Sequence, residues 1–287
     1  NALNFRLIDS DTLIESQYGK KLQNILDDEG YMKLREIENL VLNDVHFNEI
    51  ILSTGGSAVY SHEAMTVKNF EHAFLTHIHS DHSAGLADLL LTPWVMGRDS
   101  KLNLYGPSGL KQMASSILEA FEDDINYRIN GTQPSNDVGY KFNFHLLTEG
   151  VVYKDKNITV EAFKVPHGTF DDAYGFRLTS QDKVIVFSGD TGPSPTLEEF
   201  ATNADILVHE VYSYAGFQEK TKDWQKYHQG HHTSTFEVGQ IASRAKPKLL
   251  LLSHILFWGS TKDEILEEIR STYSGQIRIA EDLMIIE

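Results

Sequence analysis

Residues 76–86 read THIHSDHSAGL, and within them His77, His79, Asp81 and His82 fall inside six positions. Histidine is scarce in most chains, and imidazoles packed this tightly beside a carboxylate are a pattern for holding a cation. His77 and His79 stand two apart, so in extended backbone both point the same way and can chelate one ion. Asp81 and His82 follow after the chain has turned, in position to face a second ion nearby. The small residues Ser83, Ala84 and Gly85 let the next segment pack closely against that loop.

Further metal-capable side chains recur where apolar, β-rich stretches end. HAFLT runs into the cluster itself, VEAFKVP ends at His167 and VIVFSG at Asp190; DILV ends at His209 and Glu210, and KLLLLS at His254. Strand ends on a rigid sheet bring sequence-distant residues together with precision. Each has a plainer alternative: Asp190 in SGDTG suits a turn or N-cap, and His254 in LLSHI suits a hydrogen-bonded imidazole closing a buried strand. His46, His62, His72 and His145 are isolated and read as surface or core-capping residues. With the H-x-H-x-D-H cluster beside them, the strand-end residues together read as a metal site.

The totals narrow the function classes. At 287 residues the chain can bury a substantial core. Hydrophobic residues at 41% and charged residues at 23% are those of a globular chain. No apolar run approaches the roughly 20 residues of a membrane helix. The formal charge of −16 repels polyphosphate at long range and counts against nucleic acid as the main substrate. With no cysteine there is neither a disulfide framework nor a thiolate site, and both cytoplasm and periplasm stay open. The first residue is Asn1, which reads as a removed leader or a trimmed chain.

Residues 17–42 carry apolar residues at helical spacing, with Gly30 as a break. Short apolar stretches then alternate with helical patterns to the end of the chain, which predicts an α/β (α+β layered) fold. No linker divides the chain. The expected organisation is an N-terminal helical segment over 1–45, part of the same domain, followed by a catalytic region over 46–287.

On THIHSDH, VPHG, FSGDTG and LLSHI the sequence resembles the metallo-β-lactamase superfamily, from about residue 50 onward. The resemblance implies an αββα sandwich with the site at one edge of its two sheets. It implies His77, His79 and His167 on a first metal, Asp81, His82 and His254 on a second, and Asp190 bridging them. ADILVHEVY and GHHTSTFEVGQIA resemble loops of the ribonuclease Z and arylsulfatase-like branch. They place Glu210 and His232 as a pair beside the metals, with Glu210 orienting a His232 that protonates the leaving oxygen. Ser234 and Glu237 also fit a capping box for a helix beginning near Thr235. Asp81, His232 and Glu210 are thus the catalytic candidates.

The sequence departs from that branch in two places. No Gly-Thr-Gly loop opens the chain, although LSTGGSAVY would replace part of one, and the helical segment before it reads as a lid, a homodimer contact or an added layer. Only 23 positions separate His167 from Asp190, room for two strands and none for the tRNA-gripping arm.

By the resemblance, two divalent ions roughly 3.5–4 Å apart would share a water and generate a bridging hydroxide near pH 7. Nitrogen-rich ligation without thiolate favours zinc, with manganese or iron as alternatives. The expected activity is hydrolysis of a small ester: phosphodiester, sulfate ester or lactone. β-Lactam hydrolysis is the runner-up, followed by tRNA 3′ processing and a non-catalytic metal-binding scaffold. Trp258, Phe257, Tyr212, Tyr214 and Trp224 are candidates for an apolar substrate wall, with packing as their plainer role.

Overall fold

In the computed structural model, residues 70–133 and 135–281 are described, together with positions 18–20, 24, 28, 33, 284 and 286. The expected helical segment over 1–45 therefore lies almost wholly outside the described residues, as do His46, His62 and the LSTGGSAVY stretch.

The first part of the described chain forms a parallel three-stranded sheet, in the order β1 (His72–Phe74), β2 (Leu102–Gly106), β3 (Phe142–Leu146). Its crossovers carry α1 (Ser80–Ser83), α2 (Leu86–Val95), α3 (Ser108–Ala120) and α4 (Glu122–Asn130). A seven-stranded sheet follows, made of β4 (Gly150–Lys154), β5 (Thr159–Lys164), β6 (Tyr174–Thr179), β7 (Val184–Phe187), β8 (Ile206–Tyr212), β9 (Leu249–Leu256) and β10 (Ile277–Ile279). Its strand order is β10-β9-β8-β7-β6-β5-β4. Strands β4 to β7 pair antiparallel through short turns; β7 to β10 pair parallel. The parallel half needs crossovers, supplied by α5 (Pro195–Ala201), α6 (Tyr214–Gln218), α7 (Lys222–His231), α8 (Thr235–Ala245) and α9 (Lys262–Arg270).

Side-chain alternation along the strands sorts the core into three clusters, and these define four layers. Leu102 and Leu104 of β2 pack with Leu90 of α2 and Leu110 of α3. Tyr105, on the opposite face of β2, packs instead with Leu147, Val160, Ala162, Tyr174 and Phe176, between the two sheets. Phe163, one position after Ala162, faces the other way and joins Leu197, Ala201, Val238, Ile241 and Ile269 under the helices. The period-2 rule thus yields helix, sheet, sheet, helix: the αββα sandwich that the resemblance implied.

Helix α8 shows how the sequence sets these elements. Ser234 caps its N-terminus in a capping box with Glu237. Its buried residues Val238, Ile241, Ala242 and Ala245 follow i, i+3, i+4, i+7 spacing. Among the described residues, no helix is long and apolar enough to cross a membrane.

Candidate metal centre

The residues named from the sequence as metal ligands come from both sheets and meet at one edge of the sandwich. The segment after β1 delivers His77 and His79, and α1 delivers Asp81 and His82. The loop after β5 carries His167 and the turn after β7 carries Asp190. His254 lies within β9, where the register with β8 pairs Glu210 with Ser253 and Val211 with Ile255, passing over His254. This is a β-bulge, and it holds His254 at φ 45°, a left-handed backbone that β-strand residues rarely adopt. The bulge re-aims His254 toward the edge of the sheet.

Two donor sets result. In the first, His77 Nε2 and His167 Nε2 each stand 3.1 Å from His79 Nδ1. In the second, Asp81 Oδ2 lies 3.5 Å from His82 Nε2 and 3.7 Å from His254 Nε2. Asp190 joins them: its Oδ2 is 3.2 Å from His82 Nε2, 3.6 Å from His254 Nε2 and 4.0 Å from His77 Nε2. His77, His167 and Asp190 are almost wholly buried, while the Asp81 side chain is 65% exposed and marks the open side.

The donor chemistry fits divalent cations. Three imidazole nitrogens converging without a shared partner would repel through their lone pairs. Ligand nitrogens bound at 2.0–2.1 Å in a tetrahedral site stand about 3.3 Å apart, close to the spacing seen here. The hydrogen bonds behind them set the tautomers: His167 Nδ1 donates to the His231 carbonyl at 2.8 Å, leaving Nε2 its lone pair. Burial, then the neighbouring His82, pulls His77 down to about 3, and burial pulls His167 down to about 4. Burial works to raise Asp190, but the hydrogen bond from His82 and the charges of His254, His82 and His232 outweigh it and hold the carboxyl well below the usual range. Neutral His77 and His167 and an ionised Asp190 are forms that bind metal, whereas the hydrogen bond to Asp190 raises His82, whose proton a bound cation would displace.

Two glycines let the loops close on this centre. Gly168, next to His167, has φ 59°, and a Cβ there would sit 1.9 Å from the His231 ring. Gly189, next to Asp190, has φ 61°, and a Cβ there would meet the Tyr174 carbonyl at 2.6 Å. Only glycine fits either position.

Glu210 and His232 stand beside the centre. One carboxylate oxygen of Glu210, Oε1, accepts the backbone amides of Thr191 (3.3 Å) and Thr233 (3.0 Å) and lies 3.4 Å from His232 Nδ1. His232 Nδ1 is also 3.9 Å from Asp190 Oδ2. Burial, with Asp190 adding to it, raises Glu210 well above the usual carboxylate range, and burial lowers His232.

Other histidines take different roles. His209, fully buried, donates from Nδ1 to the Glu210 carbonyl at 2.6 Å and belongs to neither donor set. His145 stacks on Tyr105, and His72 packs against Tyr153, away from the site. The sequence reading passed over His228 and His231, although the run YHQGHH was the signal. His231 supplies the carbonyl that orients His167, and His228 lies 5.7 Å from His232, ring to ring.

This geometry can be set against known proteins. The family model described as "Beta-lactamase superfamily domain" matches residues 57–255, well over half of the chain. The chain belongs to the beta-lactamase superfamily. Among its relatives, the putative ribonuclease Z of Mycobacterium tuberculosis (strain CDC 1551) is 32% identical over 227 residues, covering 74% of this chain and 97% of the relative. The ribonuclease Z of Mycobacterium sp. (strain KMS) is 34% identical over 189 residues, covering 63% of this chain. The match spans 64% of that relative's length, just under two thirds. In structure, this superfamily member resembles the metallo-beta-lactamase fold protein YhfI from Bacillus subtilis. The TM-score is 0.60 at 20% identity, over 81% of this chain and 84% of that one, a likeness of fold. A shikimate kinase model also matches residues 1–89, which overlaps the superfamily match over 57–89 and falls mainly outside the described residues.

Proposed function

We propose that this protein is a metal-dependent hydrolase that holds two divalent ions, zinc foremost, and cleaves a small phosphodiester. The observation that carries this is the convergence of two complete donor sets on one buried carboxylate oxygen, Asp190 Oδ2. His77, His79 and His167 would hold one ion, Asp81, His82 and His254 the other, and Asp190 both. Divalent cations held there supply Lewis acidity and water activation at neutral pH.

The chain's own residues account for the rest. Asp81, on the exposed rim, is placed to take a proton from the attacking water as well as to bind metal. His232, whose Nδ1 lies near both Glu210 Oε1 and Asp190 Oδ2, would pass a proton to the leaving oxygen. Glu210, fixed by two backbone amides, holds the ring in that orientation and supports its charge. A dedicated β-lactamase is less well matched, because an aspartate that spans both donor sets suits a phosphoryl or acyl ester held across two ions.

A second reading, cleavage of RNA, is favoured by the relatives named ribonuclease Z. The small-molecule reading is preferred because β6 and β7 fill the chain between His167 and Asp190, which leaves no arm, and because the chain carries a net −16. The test is metal content of the protein as purified, with turnover of bis(p-nitrophenyl) phosphate, p-nitrophenyl sulfate and nitrocefin. About two metals per chain and a preference for the phosphodiester would support the proposal. Preference for nitrocefin would replace it with the β-lactamase reading. Metal binding with no turnover, unaltered by Asp190→Ala, would replace it with a scaffold.

A further inference from the structure

Helix α7, KDWQKYHQGH, buries none of its residues. It nevertheless carries Trp224, 55% exposed, and Tyr227, 39% exposed. An uncovered helix with large aromatic rings needs a reason, and the ring contacts supply one. Tyr227 stacks on His231 at 3.9 Å with the planes 21° apart, and His231 meets His167 edge-on at 5.1 Å. Trp224 stacks on His228 at 5.5 Å with the planes 21° apart, and His228 in turn packs on Trp258 at 4.4 Å and on His232 at 5.7 Å. Two ladders of rings therefore run from solvent to the two sides of the metal centre, one ending at a ligand and one at the proton donor.

The ladders are held in place. Gly168 donates its amide to the Gly230 carbonyl at 2.7 Å, which ties the end of α7 to the His167 loop. Trp258 sits at φ 46° with Lys220 Nζ 4.8 Å from its ring centre. His228 is the half-buried ring of the helix, and its partial desolvation under Trp258 and His232 pulls it down to about 4, so it is neutral at pH 7. The local charge also departs from the mean: residues 219–232 contain three lysines against two acidic residues, in a chain of net −16. Ordered aromatic faces, open on their outer side and flanked by lysines beside an anion-handling centre, suit a ligand that joins a planar ring to a phosphate.

We propose that α7 is a stacking wall for the base of a nucleoside phosphodiester: Trp224 takes the base face-on, Tyr227, whose ring stands at 87° to it, bounds the base at its edge, and the phosphate lies at the Asp190 centre. Stacking on an aromatic side chain contributes roughly 1–3 kcal/mol per base and tolerates any base, since every base has a π-face. This assignment rests on the phosphodiester reading above, and its test separates the two.

Three substrates share a p-nitrophenolate leaving group: thymidine 5′-(p-nitrophenyl phosphate), bis(p-nitrophenyl) phosphate and ethyl p-nitrophenyl phosphate. The zinc-loaded protein should show a kcat/KM at least about tenfold higher for the thymidine ester than for the ethyl ester. Trp224→Ala combined with Tyr227→Ala should erase that ratio, and Trp224→Phe should retain it. Equal rates on thymidine and ethyl esters, or a ratio untouched by the double variant, would overturn the assignment. A bis(p-nitrophenyl) rate matching the thymidine rate would replace the base with a general aryl group. Calorimetry needs no turnover: adenosine 5′-monophosphate should bind about tenfold tighter than ribose 5-phosphate, and the double variant should lose that advantage. If no ester is cleaved but this preference holds, the hydrolase reading fails and the stacking wall stands. If the two ligands bind alike, the wall fails whatever the turnover.

Discussion

At the scale of single residues, the centre is governed by which side chains are kept neutral and which are kept charged. His209 shows the cost of a neutral one. It is fully buried between its neighbours on β8, and burial brings it down to about 4 from an ordinary 6.5. Its folded form is neutral, so its contribution to stability is complete above pH 6.5. As pH falls below 6.5 the unfolded chain takes up a proton that the folded chain refuses, and the loss is complete near pH 4. The ceiling of that loss is about 3 kcal/mol. Urea unfolding of the chelated protein at pH 7 and pH 4.5 should therefore show a steeper loss in the parent than in His209→Asn; parallel losses would mean that His209 is solvated. His232 poses a different question, because its proposed task is to deliver a proton. His232→Ala should slow esters with poor, basic leaving groups by about 10²–10⁴-fold and p-nitrophenyl esters far less. Equal slowing across a leaving-group series would assign His232 to positioning alone.

At the scale of elements, the capped ends of α8 make two opposite predictions. Ser234 begins the helix two residues after His232, and its Oγ donates to Glu237 Oε2 at 2.6 Å while Glu237 accepts the Ser234 amide. Ser234→Ala should cost about 1 kcal/mol and should also lower kcat, because the cap fixes the backbone that presents His232. The far end is closed by Lys246 at φ 54°, an exposed residue in the conformation glycine prefers. Lys246→Gly should add about 0.5–1 kcal/mol and raise Tm by roughly 2 °C, leaving turnover as it was. Thermal unfolding paired with one kinetic assay checks both.

The same elements show what sequence pattern can and cannot carry. Strands β5 to β9, helix α8 and the capping box were readable, because their apolar periods and caps are local, although β8 runs through His209 and Glu210 to Tyr212 instead of ending at them. The cluster His77 to His82 was readable for the same reason. Helix α7 was not, since a helix with no buried face has no apolar stripe to announce it. The bulge at His254 was not, because a bulge exists only relative to the neighbouring strand: KLLLLS reads as a strand that stops at His254, whereas β9 runs on to Leu256 once β8 is laid beside it. Strands β3 and β4 were passed over because they are half-exposed stretches whose partners lie far away or around a tight turn.

At the scale of the whole molecule, the site is a junction between layers. His77, His79, Asp81 and His82 follow a strand of the three-stranded sheet, whereas His167, Asp190 and His254 belong to the seven-stranded one. Each proposed ion would thus be held by side chains from both sheets. The protein's own hydrogen bonds at this edge include the Tyr174 amide donating to the Thr76 carbonyl at 3.0 Å and Ser108 Oγ donating to Asp172 Oδ2 at 2.9 Å. Deeper between the sheets, the aromatic packing of Phe74, Tyr105, Tyr153 and Phe176 holds the layers without any ion. Removing the metal should then loosen one edge of the sandwich and leave its interior closed. Binding to the folded state alone stabilises it by about 2.7 kcal/mol at a free-ion concentration of 100 Kd, so chelation should lower Tm by several degrees and zinc should restore it. Hydrogen exchange locates the effect. Amides of residues 76–83, 166–172 and 188–191 should exchange faster after chelation, whereas those of β5 and β6 should keep their protection. Uniform acceleration across both sheets would mean that the ions hold up the entire fold. No change at the three loops would mean that the donor sets keep their arrangement unaided, and that the edge is built by the polypeptide before any ion arrives.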